Sequence, residues 1–302
     1  MLNRHFRCSA AGLLSALLLA GCGRRDEASV GTPENPLVVL LSPSHAPAGR
    51  EPLDFIAKRL SAETGMTVSV FTASTPIQAI EDFGAGRADA GILTVDEYLL
   101  AREEYGVHAA LQALRRGAEH EFAAVLLGRA EGDPKDVPGL AHRKVAFADP
   151  TSLSGFLLPA AFLLKAGVEV QTEFTGGHDE SVRRLLAGKV DAAATYAEMA
   201  VRHKGLRILA QTGMAPNEPF VVRRGLNPDK RRALVAAIQS LAGTEEGEHA
   251  LGALADISGW RPIDEDVYRP IHDTLRALDK SVYDLVPQGW EIRRLNQPYL
   301  PD

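Results

Sequence analysis

The residues best suited to bind a ligand stand together in the segment Asp149-Pro150-Thr151-Ser152-Leu153-Ser154-Gly155. Thr151, Ser152 and Ser154 supply hydroxyl groups, and Gly155 lets a ligand approach the backbone closely. The apolar runs 144–148 and 156–166 predict a buried strand before the segment and a helix after it. The first N–H groups of a helix have no partner within it, so hydroxyls placed there either cap the helix or help to bind an anion. The segment alone leaves both alternatives open.

The elements around this segment repeat along the chain. Gly65 and Gly167, Gly86 and Gly188, and Asp89 and Asp191 are each separated by 102 residues. In the first half, strands are predicted at 37–41, 67–71 and 90–93, with helices at 52–64, 76–83 and 95–104. This order predicts an α/β protein of two similar lobes, each a small, mainly parallel sheet flanked by helices.

Two further apolar segments predict how the lobes are joined. Strands are expected at 121–127 and 218–222, one leaving the first lobe and one returning to it. Lobe 1 is therefore predicted to comprise residues 36–125 and 222–302, the latter part mostly helical, and lobe 2 to comprise residues 126–221. Two lobes joined by two crossing strands form a hinge, with a cleft between them.

Ligands of parallel α/β sheets bind beyond the carboxyl ends of the strands, which selects a limited set of loop residues. In lobe 1 the candidates are Ser42, Ser44, Thr75 and Thr94. In lobe 2, Tyr196 and Glu198 follow a predicted strand, and His178 begins a predicted helix after Gly176-Gly177. Each of these residues is also consistent with an ordinary polar loop or helix cap.

The N-terminus has the pattern of an export signal. Arg4 and Arg7 precede a short apolar run, 9–20, and the following Leu19-Ala20-Gly21-Cys22 resembles the lipobox of bacterial lipoproteins. The pattern predicts a signal peptide at 1–21, a lipidated Cys22, a tether at 22–35, and anchoring at the periplasmic or extracytoplasmic face of a membrane. Because Cys8 is the only other cysteine, no disulfide is expected in the mature protein.

Composition and motifs argue against several classes of function. The formal net charge of −6 disfavours nucleic acid as a partner. The nine histidines are scattered, which predicts no metal site, and no motif for another cofactor is present. Thr151-Ser152-Leu153-Ser154-Gly155 lacks the first glycine of a nucleophile elbow, so no enzymatic activity is expected. The expected form is a monomer.

With these elements in place, the chain resembles the phosphate/phosphite/phosphonate substrate-binding lipoproteins of ABC transporters, which have the type II periplasmic-binding fold. The resemblance extends from about Pro36 to about Leu285 and is carried by 147–155, by Gly176-Gly177-His178-Asp179 and by 215–219. It implies Thr151, Ser152, Ser154, Gly155 and His178 as contacts of a phosphorus oxyanion, and an ABC permease as partner. One departure is Pro76, where the family usually has an aromatic residue.

Two carboxylates leave the nature of the ligand open. In aminophosphonate-binding members of the family, carboxylates at the positions of Glu198 and Glu218 hold the amine of the ligand. Carboxylates would repel a bare dianion. If both face the cleft, the ligand is either a zwitterion or a protonated oxyanion that donates hydrogen bonds to them.

The function expected from these residues is capture of a small phosphonate, phosphate or phosphite between two closing lobes. A second possibility is a ligand-sensing subunit of a membrane histidine kinase, for an oxyanion such as arsenite or phosphate. A remote third is a hydrolase that uses Ser154 and His178.

Overall fold

The computed structural model describes residues 26–115, 120–263 and 265–292, so the predicted signal peptide and Cys22 lie outside the described residues. The strands are β1 Leu37–Leu41, β2 Val68–Thr72, β3 Ala90–Ile92, β4 His108–Arg115, β5 Glu121–Arg129, β6 Lys144–Phe147, β7 Gln171–Phe174, β8 Ala192–Tyr196, β9 Leu206–Pro216, β10 Pro219–Val222 and β11 Ile257–Pro262. The helices are α1 Glu51–Thr64, α2 Pro76–Gly84, α3 Val95–Tyr105, α4 Leu158–Lys165, α5 His178–Leu186, α6 Glu198–Arg202, α7 Pro228–Ser240, α8 Glu245–Ala255 and α9 Arg269–Ala277.

The strands form two mixed sheets with matching order. Lobe 1 is built on a sheet of order β11-β4-β10-β3-β1-β2, and lobe 2 on a sheet of order β7-β6-β8-β5-β9. In each lobe three strands run parallel, β2-β1-β3 or β7-β6-β8, and the next strand, β10 or β5, pairs antiparallel. The predicted two-lobed α/β fold is confirmed.

The repeated residues have the same structural role in both lobes. The Asp89 carboxylate accepts the Val38 N–H at 2.8 Å, and the Asp191 carboxylate accepts the Lys144 N–H at 3.0 Å. The backbone N–H of each aspartate donates to the carbonyl of the same strand residue, at 2.9 and 2.8 Å. The repeated aspartates therefore link two neighbouring parallel strands in each sheet, β1 to β3 in lobe 1 and β6 to β8 in lobe 2. This role is structural and does not involve the ligand.

The chain changes sheet earlier than predicted. Strand β5 lies entirely in the sheet of lobe 2, and β10 lies entirely in the sheet of lobe 1. The changes therefore fall between β4 and β5 and at Asn217-Glu218, and the predicted lobe boundaries fall inside strands. The stretch after 222, expected to be mostly helical, also contributes β11, which pairs antiparallel with β4.

Residues 26–35, expected to form part of a tether, pack against lobe 1. The Lys230 ammonium donates to the carbonyl oxygens of Glu27, Ala28 and Val30 at 2.8, 3.1 and 2.7 Å. The Val30 side chain is buried, and the Glu27 carboxylate pairs with Arg223. A polar, aperiodic sequence predicts a flexible chain, but these long-range partners hold it in place.

Hydrophobic clusters fill each lobe and also join the two. Leu157, just before α4 in lobe 2, belongs to the same buried cluster as Ile271 and Leu275 of α9 in lobe 1. This contact places the ligand-binding segment beside lobe 1. Among the described residues, no helix has the length and apolar character needed to cross a bilayer.

Candidate functional site

The segment after β6 begins with a turn around the Asp149 side chain. Oδ1 of Asp149 accepts the N–H of Thr151 at 2.9 Å, its hydroxyl at 2.6 Å and the N–H of Ser152 at 2.8 Å. The donors of Thr151 are therefore directed into the turn, although this residue was predicted to contact the ligand. An aspartate followed by proline and hydroxyl residues is typical of such a turn, so the sequence carries a signal for it.

Ser152 and Ser154 lie where the helix begins. A π-helical turn, Leu153–Leu157, precedes α4, and the Ser152 Oγ caps it by accepting the Gly155 N–H at 3.0 Å. The capping oxygen acts as acceptor, which leaves the Ser152 hydroxyl hydrogen to donate elsewhere. Ser154 is only 4% exposed. In the described part of the chain, no group accepts the N–H of Leu153 or Ser154, as expected in the first turn of a helix.

Gly155 allows this turn to pack closely. A Cβ at this position would lie 2.5 Å from the Ala148 Cβ, 2.7 Å from the Ser152 Oγ and 2.9 Å from the His178 Cε1. Any larger residue would push the helix start away from β6 and from the histidine. The structure therefore supports a packing role for the glycine, which brings Ser152 and His178 together.

His178 is the first residue of α5 and is held from two sides. Its Nδ1 lies 2.9 Å from the Thr195 Oγ1, its Nε2 lies 3.5 Å from the Ser152 Oγ, and its ring meets Tyr196 edge-on at 5.0 Å. Partial burial lowers the pKa of His178, against the opposing effect of the Asp149 and Asp179 carboxylates. The imidazole is therefore neutral near pH 7 and carries one N–H.

Ser154, His178 and Tyr196 line a cavity of about 980 Å³. Burial raises the pKa of Tyr196, so its hydroxyl stays protonated and can donate. The remaining lining is of mixed character, with Arg115, Glu121, Glu198, Arg202 and Asp256 among the charged residues and Phe122, Val201, Ile208 and Met214 among the apolar ones.

The two predicted amine-binding carboxylates already have cationic partners. Glu198, whose side chain is 61% exposed, pairs with Arg202 of its own helix at 2.7 Å. Glu218 lies 2.5 Å from Arg115 and 3.8 Å from the Nε2 of His45. Burial alone would raise the pKa of Glu218, but His45 and Arg115 hold it below its usual value. Both carboxylates therefore have an arginine partner within the protein.

The four lobe 1 candidates do not line this cavity. Ser42 is buried and donates to Glu97 at 2.8 Å, and Ser44 is exposed on the same loop. Thr75 caps α2 through the Gln78 N–H, and Thr94 forms a capping box with Glu97 at the start of α3. The observed contacts of these residues are therefore those of ordinary polar loop or helix-cap residues, the alternative that the sequence left open.

Sequence reasoning noted Asp96 as an additional acid near Thr94 but did not find Glu97, which lies beside it at the start of α3. Burial, and next the neighbouring Asp96, raise the pKa of Glu97 to about 7. Desolvation also raises the pKa of Asp96, with a smaller contribution from the Asp149 carboxylate of lobe 2. Acidic residues are common in the first turn of a helix, so their types gave no signal of this environment.

Comparison with known proteins gives the family. Residues 42–268, well over half of the chain, match the family described as ABC transporter, phosphonate, periplasmic substrate-binding protein. The chain belongs to this family. Members of a periplasmic substrate-binding family act outside the cytoplasm and deliver a solute to a transporter, so the expectations of a binding protein and of no enzymatic activity are confirmed.

Relatives of this phosphonate-binding family agree with the assignment. The phosphate-import protein PhnD of Mycolicibacterium smegmatis is 25% identical over 81% of this chain and 86% of its own length. PhnD1 from Prochlorococcus marinus in complex with methylphosphonate has a TM-score of 0.58 and 20% identity, covering 81% of this chain and 98% of that one. A Xanthomonas citri protein bound to chloride has a TM-score of 0.66 and 22% identity, covering 80% and 99%. At these identities the solved structures show the shared fold.

Proposed function

We propose that this substrate-binding protein captures a phosphorus oxyanion, a phosphonate, phosphate or phosphite, at the start of α4 in the cleft between its lobes. The observation that carries the proposal is the group of donors there: the N–H groups of Leu153 and Ser154, the hydroxyls of Ser152 and Ser154, and His178 beside them. The positive end of a helix together with hydroxyl groups suits a tetrahedral oxyanion.

Lobe 2 supplies these donors, and lobe 1 closes over the bound ligand and excludes water. The names of the relatives support this ligand class, since one imports phosphate and another was solved with methylphosphonate. Thr151 contributes by holding the turn through Asp149. Glu198 and Glu218 remain proposed cleft residues whose charges are balanced by arginines. The closed form is the one that the ABC permease recognises.

The proposal also includes a lipid anchor on Cys22, supported by the lipobox-like sequence before it. Such an anchor keeps the receptor at the membrane that contains its permease. Incorporation of labelled fatty acid into the wild-type protein, and its loss in Cys22→Ser, is the direct test.

Oxyanion capture is tested by calorimetry with phosphate, phosphite and methylphosphonate, with sulfate and chloride as comparison anions. Ser154→Ala is expected to weaken binding by about 1–3 kcal/mol, the scale of a lost hydrogen bond to a charged group. Ser69→Ala, on an outward position of β2, is the matched control and is expected to bind like wild type. Unchanged affinity in Ser154→Ala, or no binding of any phosphorus oxyanion, would contradict the proposal.

A further inference from the structure

The cavity beside Ser154 and His178 is larger than a bare tetrahedral oxyanion needs. Its volume of about 980 Å³ lies at the upper end of the range of roughly 300–1,000 Å³ typical of pockets for organic ligands. The proposed oxyanion contacts Ser154 and His178 account for only two of the residues that line it. The rest of the cavity is therefore available to another part of the ligand.

That remaining part has an exposed apolar wall. Val201, Ile208 and Met214 are 84%, 49% and 39% exposed, and all three line the cavity. They are three of the seven large hydrophobic side chains that are exposed among the described residues, so these side chains concentrate in this one concavity. Phe122 adds an aromatic ring beside them. Apolar surface gathered in a concavity marks a binding site for apolar groups.

Two carboxylates at or near the cavity already have cationic partners within the protein. Arg202, which lines the same wall, is paired with Glu198 at 2.7 Å, and Arg115 is paired with Glu218 at 2.5 Å. Glu198 and Glu218 are therefore already paired, and an ammonium group that bound either of them would compete with an arginine. Glu121 and Asp256 are the other carboxylates that line the cavity, and 2-aminoethylphosphonate tests whether they attract an amine.

We infer that the ligand is a phosphorus oxyanion with an uncharged, apolar organic substituent of several carbon atoms. This inference rests on the proposed function: the charged head binds at Ser154 and His178, and the substituent lies along Phe122, Val201, Ile208 and Met214. Burial of each methylene group against this wall strengthens binding by about fourfold.

The test compares the affinities of methyl-, propyl-, phenyl- and 2-aminoethylphosphonate for the chain without its signal peptide, by calorimetry. Propylphosphonate has two more methylene groups than methylphosphonate and should bind about fifteenfold more tightly. 2-Aminoethylphosphonate has the length of propylphosphonate but ends in an ammonium group, and should bind more weakly than propylphosphonate. Equal affinity for methyl- and propylphosphonate, or tighter binding of 2-aminoethylphosphonate, overturns the inference while oxyanion capture stands. Binding of none of them overturns both.

A variant of the wall separates its contribution from that of the oxyanion contacts. Val201→Thr, Ile208→Thr and Met214→Gln together make the wall polar; the first and third changes nearly keep the side-chain size, and the second shortens the side chain by one heavy atom. The ratio of the methyl- to the propylphosphonate dissociation constant should fall to about one, from about fifteen in the wild type. Leu164→Gln, at a 60% exposed position of α4 outside the cavity, is the control and should leave the ratio unchanged. If this ratio in the triple variant stays at its wild-type value, the inference is contradicted.

Discussion

His178 shows how a single side chain can link ligand binding to pH. Its pKa is lowered by partial burial, and its ring is fixed between Thr195 and Ser152. An anion bound beside the imidazole favours the protonated form and raises this pKa. Ligand binding is therefore expected to take up a proton at His178, and the contribution of this side chain to the affinity should rise as the pH falls.

Proton uptake is measured by calorimetry in two buffers that differ in ionisation enthalpy. His178→Asn should bind the oxyanion at least about tenfold more weakly than wild type, since it loses a hydrogen bond to a charged group. The variant should also lose the part of the proton uptake that belongs to the imidazole. Protonation of the ligand itself contributes equally in both proteins and cancels in the difference. His249→Asn, at an exposed position of α8, is the control. Identical uptake in wild type and His178→Asn would remove the histidine from the site.

At the residue scale the sequence indicated some partners and not others. The pairing of Glu198 with Arg202 follows from their spacing of four residues on a helix, and the turn at Asp149 follows from the proline and hydroxyls after it. The partner of Glu218 is Arg115, 103 residues away, and no local pattern indicates that contact. Local chemistry was therefore predictable, whereas charge compensation across the fold was not.

At the scale of elements, the capping box in the first turn of α3 makes the stability of the fold depend on pH. Glu97 is 1% exposed, accepts bonds from Ser42 and Thr94, and has a pKa raised to about 7. In the unfolded chain its pKa is near 4.5. Between about pH 4.5 and about pH 7 the folded state binds more protons than the unfolded state. The stability contributed by this group therefore falls as the pH rises and stays low above about pH 7.

Glu97→Gln removes this ionisation while keeping the shape of the side chain. Wild type is expected to lose up to about 3 kcal/mol more stability than the variant between about pH 4.5 and about pH 8. Urea denaturation at both pH values measures the difference. Glu103→Gln, at an exposed position of the same helix, serves as control. Parallel pH profiles for wild type and Glu97→Gln would show that the carboxyl group titrates normally.

Strong periodicity made several elements predictable and irregular pairing hid others. The predicted strand 37–41 and the predicted helix 52–64 match β1 and α1 almost residue for residue. Strand β9 was not predicted, because its pairing with β5 shifts register twice and breaks the alternation of side chains. The prediction of a mostly helical C-terminal part missed β11, a short strand whose register against β4 also shifts.

At the scale of the whole molecule, the two lobes are expected to move together when the ligand binds. Small-angle scattering should show a smaller radius of gyration after addition of a phosphorus oxyanion that binds. Ser154→Ala should show less compaction at the same ligand concentration, because less of it is occupied. An unchanged radius of gyration at saturating ligand would mean that capture proceeds without lobe closure.

The two-lobed architecture was predictable because glycine and aspartate recur at a constant spacing of 102 residues. The way in which the lobes meet was not. Leu157 packs with Ile271 and Leu275, residues more than 100 positions later in the chain, and nothing in a local pattern indicates this pairing. Relative placement of lobes depends on such distant contacts, and a single sequence gives little information about them.

The route of the chain through lobe 1 has a consequence for biosynthesis. Arg223 bonds both Glu27 and Asp89, and Lys230 holds the carbonyls of residues 27, 28 and 30, so the earliest described residues depend on partners that are synthesised about 200 positions later. The sheet of lobe 2, in contrast, is complete once β9 has been made. As the polypeptide emerges from the export channel, lobe 2 can therefore fold first, while β3 and β4 of lobe 1 wait for β10, which lies between them, and depend on protection from aggregation.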